Sequence, residues 1–506
     1  MSFLVHDLGT SADKAALFGD KGRLIASVTA DYPTEDLGNG GYQQNPADWL
    51  QAVCQSTRKL AAKVPGEMKV IEGISLSGHM MGVVALDEKC LPVRPAILHS
   101  DIRSRPQVRQ IAERISPHRV HQICGSPLDV HYPMSKILWL RHNEPDSYRQ
   151  SRVFVQSKDY VASWLTGTQA VTDYSDASLY GCFDIHQMDW SDELLEVSQI
   201  ERSRLPDVTG AGSLLGKLCT EAAREMGLQQ GIPVYMGFGD GASAALGSGS
   251  WKVGSCYNYV GITSWVATTT PGPVIDPEGR LFSIALTKER FSILGTVQSA
   301  GAAWDWVVTR FCQAQFGAAE AQAASSRAGC GGLFFLPYLS GERAPVWNEN
   351  ARGVWFGLAS HHSTGDLLRS VLEGVSLALA SVYRELCRCS GQAPEYVRLI
   401  GGGAKSQLWR GMLAACYGRE VRWPVDVGEA TARGALKAAA LGAGVLKSFD
   451  DDSNFASSEQ TCQPDVSLVA AYEAMKPLFG NLYGRLEGSF DELAALRNEL
   501  ASLEKT

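Results

Sequence analysis

Residues 233–265, PVYMGFGDGASAALGSGSWKVGSCYNYVGITSW, constrain the fold more than any other stretch of this chain. Val234, Tyr235 and Met236 make an apolar run of the length a buried strand needs, and Gly237, Gly239 and Gly241 then surround one carboxylate, Asp240. A carboxylate between glycines at a strand end sits on backbone that can approach a ligand closely, because glycine has no Cβ. Ala242 to Gly249 has helical composition, and Cys256 to Val260 is a second strand running into Gly261-Ile262-Thr263-Ser264. That turn offers backbone N–H groups and hydroxyls, which a phosphate oxygen seeks. One carboxylate and one phosphate turn point to phosphoryl transfer.

The same device opens the chain. Phe3-Leu4-Val5 is a short strand that ends in His6-Asp7-Leu8-Gly9-Thr10-Ser11, followed by Lys14 and a second strand, Ala15 to Phe18. Gly19-Asp20-Lys21-Gly22 has hairpin-turn chemistry. Taken alone, either turn reads as a tight hairpin with a satisfied hydroxyl. Two of them, one near the start of each half, read as a duplicated domain, each copy offering a phosphate loop to a shared cleft.

With 506 residues the chain is too long for one core, which stops growing near ~250–300 residues. A net charge of −8 argues against a general nucleic-acid or anionic-membrane surface. Twelve cysteines are scattered without a Cys-x-x-Cys pair, as in a reduced cytosolic protein, and no apolar run approaches the ~18 residues of a membrane span. The start runs straight into a motif, so no signal peptide is expected and cytoplasm is the default compartment.

Between the two turns, Asn45 caps an amphipathic helix running to about Val64, and Val70 to Leu76 is a strand ending in Ser77-Gly78-His79-Met80-Met81-Gly82. Residues 95–103 end an apolar run in His99-Ser100-Asp101-Ile102-Arg103. Lys136 to Arg141 reads as a helix with Trp139 buried, Gln156 to Tyr160 leads into a helix ending at Gly167, and Ser175 to Ser178 reads as a polar loop. Further on, a strand passes into a helix across Gly295 to Trp306, a long helix spans Gly365 to Arg388, and strand Val397 to Ile400 meets Gly401-Gly402-Gly403. Glu429 begins another helix, and the tail is helical from about Val466. Strands alternating with helices make the fold α/β.

Walker A, Rossmann and Gly-x-Ser-x-Gly patterns are absent, which counts against P-loop, dinucleotide and serine-nucleophile enzymes. Asp240 is placed to remove a hydroxyl proton, and Asp7 to hold the waters of Mg²⁺, an ion bound through one or two carboxylates. Thr10, Thr263 and Gly301 are candidate phosphate donors.

Asp7-Leu8-Gly9-Thr10-Ser11, Gly239-Asp240-Gly241 and Gly402-Gly403-Ala404-Lys405-Ser406 together resemble the FGGY carbohydrate kinase family. Residues 353–373, GVWFGLASHHSTGDLLRSVLE, follow the family's C-terminal signature, and Lys136, Trp139 and Leu140 fit its N-terminal one. The resemblance covers nearly the whole chain. It implies two actin-like (ribonuclease H-like) ATPase domains with an inter-domain cleft: an N-terminal, sugar-binding domain at 1–246 and a C-terminal, ATP-binding domain at 247–506. By position it implies Asp240 as catalytic base and Asp7 as the Mg²⁺-associated carboxylate, the two flanking the metal. Thr10, Ser11, Lys14, Gly261, Thr263, Gly301 and Asp305 fall to the phosphate side of ATP, with Gly402, Gly403, Ala404 and Gln407 toward the adenosine. One departure stands out. The family usually has Gly-Thr-Ser where this chain has Gly261-Ile262-Thr263, so Ile262 removes a hydroxyl.

Within the family, Leu76 to Gly82 and Pro95 to Arg103 most resemble the xylulokinase patterns, with His79 for a glutamine, Met81 for a histidine and His99 for a tryptophan. The resemblance places His79, Met80, Met81, His99 and Asp101 with Asp240 in the sugar pocket. It implies a cytoplasmic transferase of xylose metabolism, converting D-xylulose to D-xylulose 5-phosphate with MgATP; many relatives are dimers. The alternatives are a kinase for another ketose or polyol, or a catalytically silent sugar or nucleotide sensor.

Overall fold

The structure is a computed structural model and describes residues 2–451, 455 and 458–503. The chain packs as two units, residues 1–253, 269–292 and 429–456 in the first, and 254–268, 293–428 and 457–506 in the second. By packing, then, the first unit takes more than the contiguous N-terminal segment 1–246: a strand, Phe282–Thr287, and a helix from the second half of the chain return to it.

In the first unit β1 (Ser2–Leu8) folds back antiparallel on β2 (Ala12–Phe18), which pairs with β3 (Leu24–Asp31). On its other side β1 runs parallel to β4 (Ile71–Gly78). An edge strand, β5 (Leu214–Lys217), is antiparallel to β6 (Pro233–Gly239), which runs parallel to β4, giving the order β5-β6-β4-β1-β2-β3. In the second unit β7 (Cys256–Val260) folds back on β8 (Ser264–Thr270), next to β9 (Arg290–Val297). On its other side β7 is parallel to β10 (Tyr396–Ile400), then β11 (Glu420–Pro424), with β12 (Glu459–Cys462) antiparallel at the edge. The order β9-β8-β7-β10-β11-β12, read in reverse, repeats that of the first unit, and a seventh strand, Phe282–Thr287, is added beside β9. The duplication expected from the two hairpins is a duplication of whole sheets, and the chain has the two-domain, actin-like fold.

Helices cover both faces, so Ser2 to His6 and Leu8 of β1 are all buried rather than alternating with exposed positions. Leu4 and Leu8 pack on α1 (Pro46–Lys63), whose Trp49, Val53 and Leu60 are buried and whose first turn is capped by Asn45. The further helices of this unit's N-terminal portion include α2 (Pro133–Asn143), α3 (Ser157–Thr166), the short α4 (Tyr174–Ser178) and α5 (Asp240–Gly247). The second unit contributes α6 (Thr364–Ser390), opened by the reciprocal Ser363–Asp366 capping box, and α7 (Gln407–Tyr417). The chain then re-enters the first unit as α8 (Ala430–Gly442), whose Ala432, Ala435, Leu436 and Ala439 pack on Phe3 and Val5, the other face of β1.

Helices α5 and α8 cross in backbone contact. A Cβ at Gly247 would lie 1.7 Å from the Ala430 carbonyl oxygen, and one at Gly434 2.1 Å from that of Ser243. Only glycine permits this crossing, which brings Asp240 and Thr431, both near helix starts, to the same end of the sheet.

Two local expectations are corrected. Trp139 is only half-buried, because it packs at the margin of an apolar cluster with the Arg103 guanidinium 4.2 Å over its ring. Ser175 to Ser178 is not a loop but the buried part of helix α4. Its start is capped by Asp173, and its Asp176 charge is met by Lys158.

Candidate active site

Three parallel strands of the first unit end together. Register places Asp7 opposite Ser77 and Ser77 opposite Phe238; one step on, Leu8, Gly78 and Gly239 form the next row. Asp7 thus lies one residue before the end of β1 and Asp240 follows β6 as the first residue of α5, both at the carboxyl ends of the strands where open α/β sheets place their ligands.

The two carboxylates have different surroundings. Burial pushes the Asp240 carboxyl up to about 7, the Asp7 charge adds to the rise, and only the Gly241 N–H opposes it. Burial also raises Asp7, but the Lys14 ammonium and the Thr431 hydroxyl, which donates to its Oδ2, pull it back. Lys14 itself lies 3.8 Å from Glu429. One acid is therefore poised to exchange a proton near neutral pH beside another held by a cation and a donor, which is how environments assign acid–base roles. A carboxylate pair with partial solvent access fits Mg²⁺, which takes one or two carboxylates and keeps water. Among the described residues no group of three or more His, Cys, Asp or Glu is arranged to hold a metal.

The turn after β1 is held from inside. The Tyr32 hydroxyl donates to the Gly9 carbonyl and Gln44 Nε2 donates to that of Thr10 at 2.7 Å, while Thr10 and Ser11 are exposed.

The segment expected to hold sugar lies against Asp240. Met80 fills the space over Gly239, where a Cβ would come within 2.7 Å of its Sδ, and reaches Gly241. So the glycines beside Asp240 admit a side chain of the chain itself, and Gly237 serves strand packing, since a Cβ there would lie 1.7 Å from the Leu76 carbonyl oxygen. His79 is 3% exposed, edge-on to Trp49 at 5.4 Å, with both ring nitrogens unpartnered. Burial and the nearby Lys136 charge lower its pKa to about 4, so the ring is neutral. Met81 has φ 65°; its N–H donates to Gln156 Oε1 at 2.5 Å. Lys136, which is 1% exposed, donates to the carbonyls of Met81, Leu98 and His131 at 2.9, 2.7 and 2.7 Å, clamping the 77–82 loop to the 98–101 loop. His99 is half-buried beside this clamp. Asp101 is 2% exposed, and its carboxylate accepts from Tyr42 N at 2.9 Å and pairs with Arg103 at 2.7 Å. Its visible work is to hold these loops.

Beneath the 77–82 loop lies a cluster that the sequence reading passed over as ordinary helix and loop. Lys158 Nζ lies 2.7 Å from Asp159, 2.7 Å from Asp173 and 2.6 Å from Asp176, with all four side chains at most 1% exposed. The signal was the run Gln-Ser-Lys-Asp opening a helix that is otherwise buried. Thr431 and Glu429 were also missed; each meets its partner across more than 400 positions of chain.

In the second unit the Gly261–Thr263 turn is bonded to the start of the helix Gly301–Trp306. The Gly301 N–H donates to the Gly261 carbonyl at 2.8 Å, and the Ala300 and Ala302 N–H groups to that of Ile262 at 3.0 and 3.1 Å. The Ser264 hydroxyl is buried and accepts from Asn258 Nδ2 at 2.9 Å, while Thr263 is half-buried and Ile262 is 77% exposed at the tip. The Gly401–Ala404 turn follows the adjacent β10. Gly401 has φ 86°, and a Cβ at Gly403 would sit 2.3 Å from Val260, so this turn lies directly on the end of β7. The 261–263 and 401–404 turns and the 301 helix start are therefore neighbours, with Asp305 and Gln407 exposed nearby in sequence.

Comparison with known proteins agrees with this architecture. The chain is 30% identical over 501 residues to the gluconokinase of Bacillus subtilis (strain 168), covering 96% of each chain. It is 31% identical over 481 residues to the xylulose kinase of Escherichia coli (strain K12), covering 95% of this chain and 98% of that one. Among solved structures, the ligand-bound xylulose kinase from Lactobacillus acidophilus matches with a TM-score of 0.91 and 25% identity, over 97% of this chain and 99% of that one. Residues 2–247 match the N-terminal domain, and residues 256–443 the C-terminal domain, of the FGGY family of carbohydrate kinases, and the chain belongs to that family.

Proposed function

We propose that this sugar kinase transfers the γ-phosphoryl group of ATP to the terminal hydroxyl of D-xylulose. The observation that carries the reading is Asp240: a carboxyl at a parallel-strand end, raised to about 7, with the Asp7 carboxyl beside it. Asp240 accepts the proton of the sugar hydroxyl as that oxygen forms its bond to the γ-phosphorus, the bond from γ-phosphorus to the bridging oxygen breaks, and ADP leaves. Mg²⁺, held through Asp7 and Asp240, would neutralise phosphate charge. Thr10, Ser11 and Lys14 in the N-terminal segment, and Gly261, Thr263, Gly301 and Asp305 in the C-terminal one, are assigned to the phosphates; Gly402, Gly403, Ala404 and Gln407 are assigned to the adenosine. The sugar falls to residues within 1–246 and ATP mainly to residues within 247–506, in a cytoplasmic enzyme.

The pocket chemistry favours a neutral ketose. Lys136 is spent on three carbonyls and Arg103 on Asp101, so a carboxylate substrate would have to displace existing partners. His79, neutral and with both nitrogens unengaged, can give one hydrogen bond and accept another. The second reading, gluconate, is favoured by the gluconokinase relative. A coupled ADP-release assay over D-xylulose, D-ribulose, gluconate and glycerol separates them. D-xylulose is expected to give the highest kcat/KM by about tenfold or more. A higher value for gluconate overturns the substrate, and sugar-independent ADP release alone overturns the kinase reading in favour of a silent binder.

A further inference from the structure

The Lys158 cluster is unusual for what it joins. One ammonium faces three carboxyls in a dry interior, where burial raises Asp159 and pushes Asp176 well up while Lys158 pulls each down. A buried ionic group of this kind is a poor source of stability compared with apolar packing, and its best-attested use is to fix one geometry. Here that geometry has two arms. From the start of α3, Gln156 Oε1 accepts the Met81 N–H at 2.5 Å and the Ser157 hydroxyl donates to the His79 carbonyl at 3.1 Å. Gly78 lies so close that a Cβ would be 2.9 Å from Lys158 Cβ. From α4, the Ser175 hydroxyl accepts the Gly239 N–H at 2.9 Å and donates to Asp173. Gln156 Nε2 also bonds the Asp176 carbonyl at 3.0 Å, tying one arm to the other.

We propose that Lys158, through Asp173 and Asp176, is a positioning residue that fixes the 77–82 sugar loop relative to Asp240. It touches neither sugar nor ATP. It sets the distance between the hydroxyl that loop 77–82 presents and the base that removes its proton. A displacement near 1 Å at such a junction costs about a hundredfold in rate, without an equal loss of binding. The inference rests on the kinase reading above.

Lys158→Met risks failing to fold, so the arms are cut one at a time. Ser157→Ala removes the donor to His79, and Ser175→Ala removes the bridge from Gly239 to Asp173. The full-length wild type, both single variants and the double variant are assayed with MgATP and whichever of D-xylulose and gluconate the wild type turns over faster. Each single variant is expected to lose about ten- to a hundredfold in kcat, with sugar KM within about threefold. The double variant should lose little more than the worse single, because either cut already frees the junction, while effects on melting temperature add. Unchanged kcat in both singles, kcat losses that multiply in the double, or a change in melting temperature alone each overturns the positioning role. A wild type that turns over neither sugar overturns the kinase reading, and the inference with it.

Discussion

Asp240→Asn separates catalysis from stability in one substitution. The amide keeps the size of the carboxyl but cannot take a proton, so kcat should fall by about 10²–10⁴, the share of a general base. Stability should move the other way. The carboxyl titrates at 3.8 in the unfolded chain and at about 7 when folded, so the native state disfavours the charge. A raised carboxyl pKa leaves stability undiminished below the unfolded value and erodes it as pH rises through the folded value. At pH 8 the displacement corresponds to a ceiling of about 4 kcal/mol, and at pH 5 to about 1.5 kcal/mol. Because Asp240 keeps some solvent contact, about half of this should be realised. Asp240→Asn should therefore melt above the wild type at pH 8, by roughly 2–4 °C, and the gap should narrow steadily toward pH 5. Thermal unfolding across pH 5–8, run beside kcat on the same preparations, measures both. A variant with kcat within threefold of wild type, or with a stability gap that does not depend on pH, refutes the reasoning.

Thr431→Val removes a donor to the Asp7 carboxylate, which should raise that group further and move the acid limb of kcat/KM to higher pH; an unshifted profile would show that the hydroxyl does not support the charge. Gly434→Ala forces the α5–α8 crossing apart, since its Cβ would lie 2.1 Å from a carbonyl oxygen. A loss of about 1–3 kcal/mol in denaturant unfolding is expected, with reduced kcat, and a neutral result would mean that the helices slide freely. Ile262→Thr places a hydroxyl at the exposed tip of the second turn, and ATP saturation kinetics should show KM lowered about fivefold with kcat unchanged; a KM that stays put or rises removes this turn from the phosphate site.

Much of this was legible in the chain because local pattern and global role coincide. β1 and β6 open on the apolar runs Phe3–Val5 and Val234–Met236, which stop before His6-Asp7 and Gly237, and strands buried on both faces leave that mark. The paired hairpins announced a duplicated sheet for the same reason. What failed was anything decided by distant partners. Ser175 to Ser178 is polar enough to read as a loop, and only a lysine some twenty residues earlier makes it a buried helix. Helix α8 has ordinary Ala/Gly composition, and nothing local says that it crosses back to support β1 and Asp7. The glycines around Asp240 were read as room for a ligand, yet Gly237 and Gly239 make room for Leu76 and Met80. Glycine marks close approach without naming what approaches.

The most direct check is to follow the phosphorus. Wild-type enzyme with MgATP and D-xylulose, watched by ³¹P NMR, should convert the γ-phosphate resonance into a sugar phosphate monoester in step with ADP, with no conversion in Asp240→Asn over the same period. Appearance of inorganic phosphate in place of the monoester, or equal conversion by Asp240→Asn, would contradict transfer to a hydroxyl activated by Asp240.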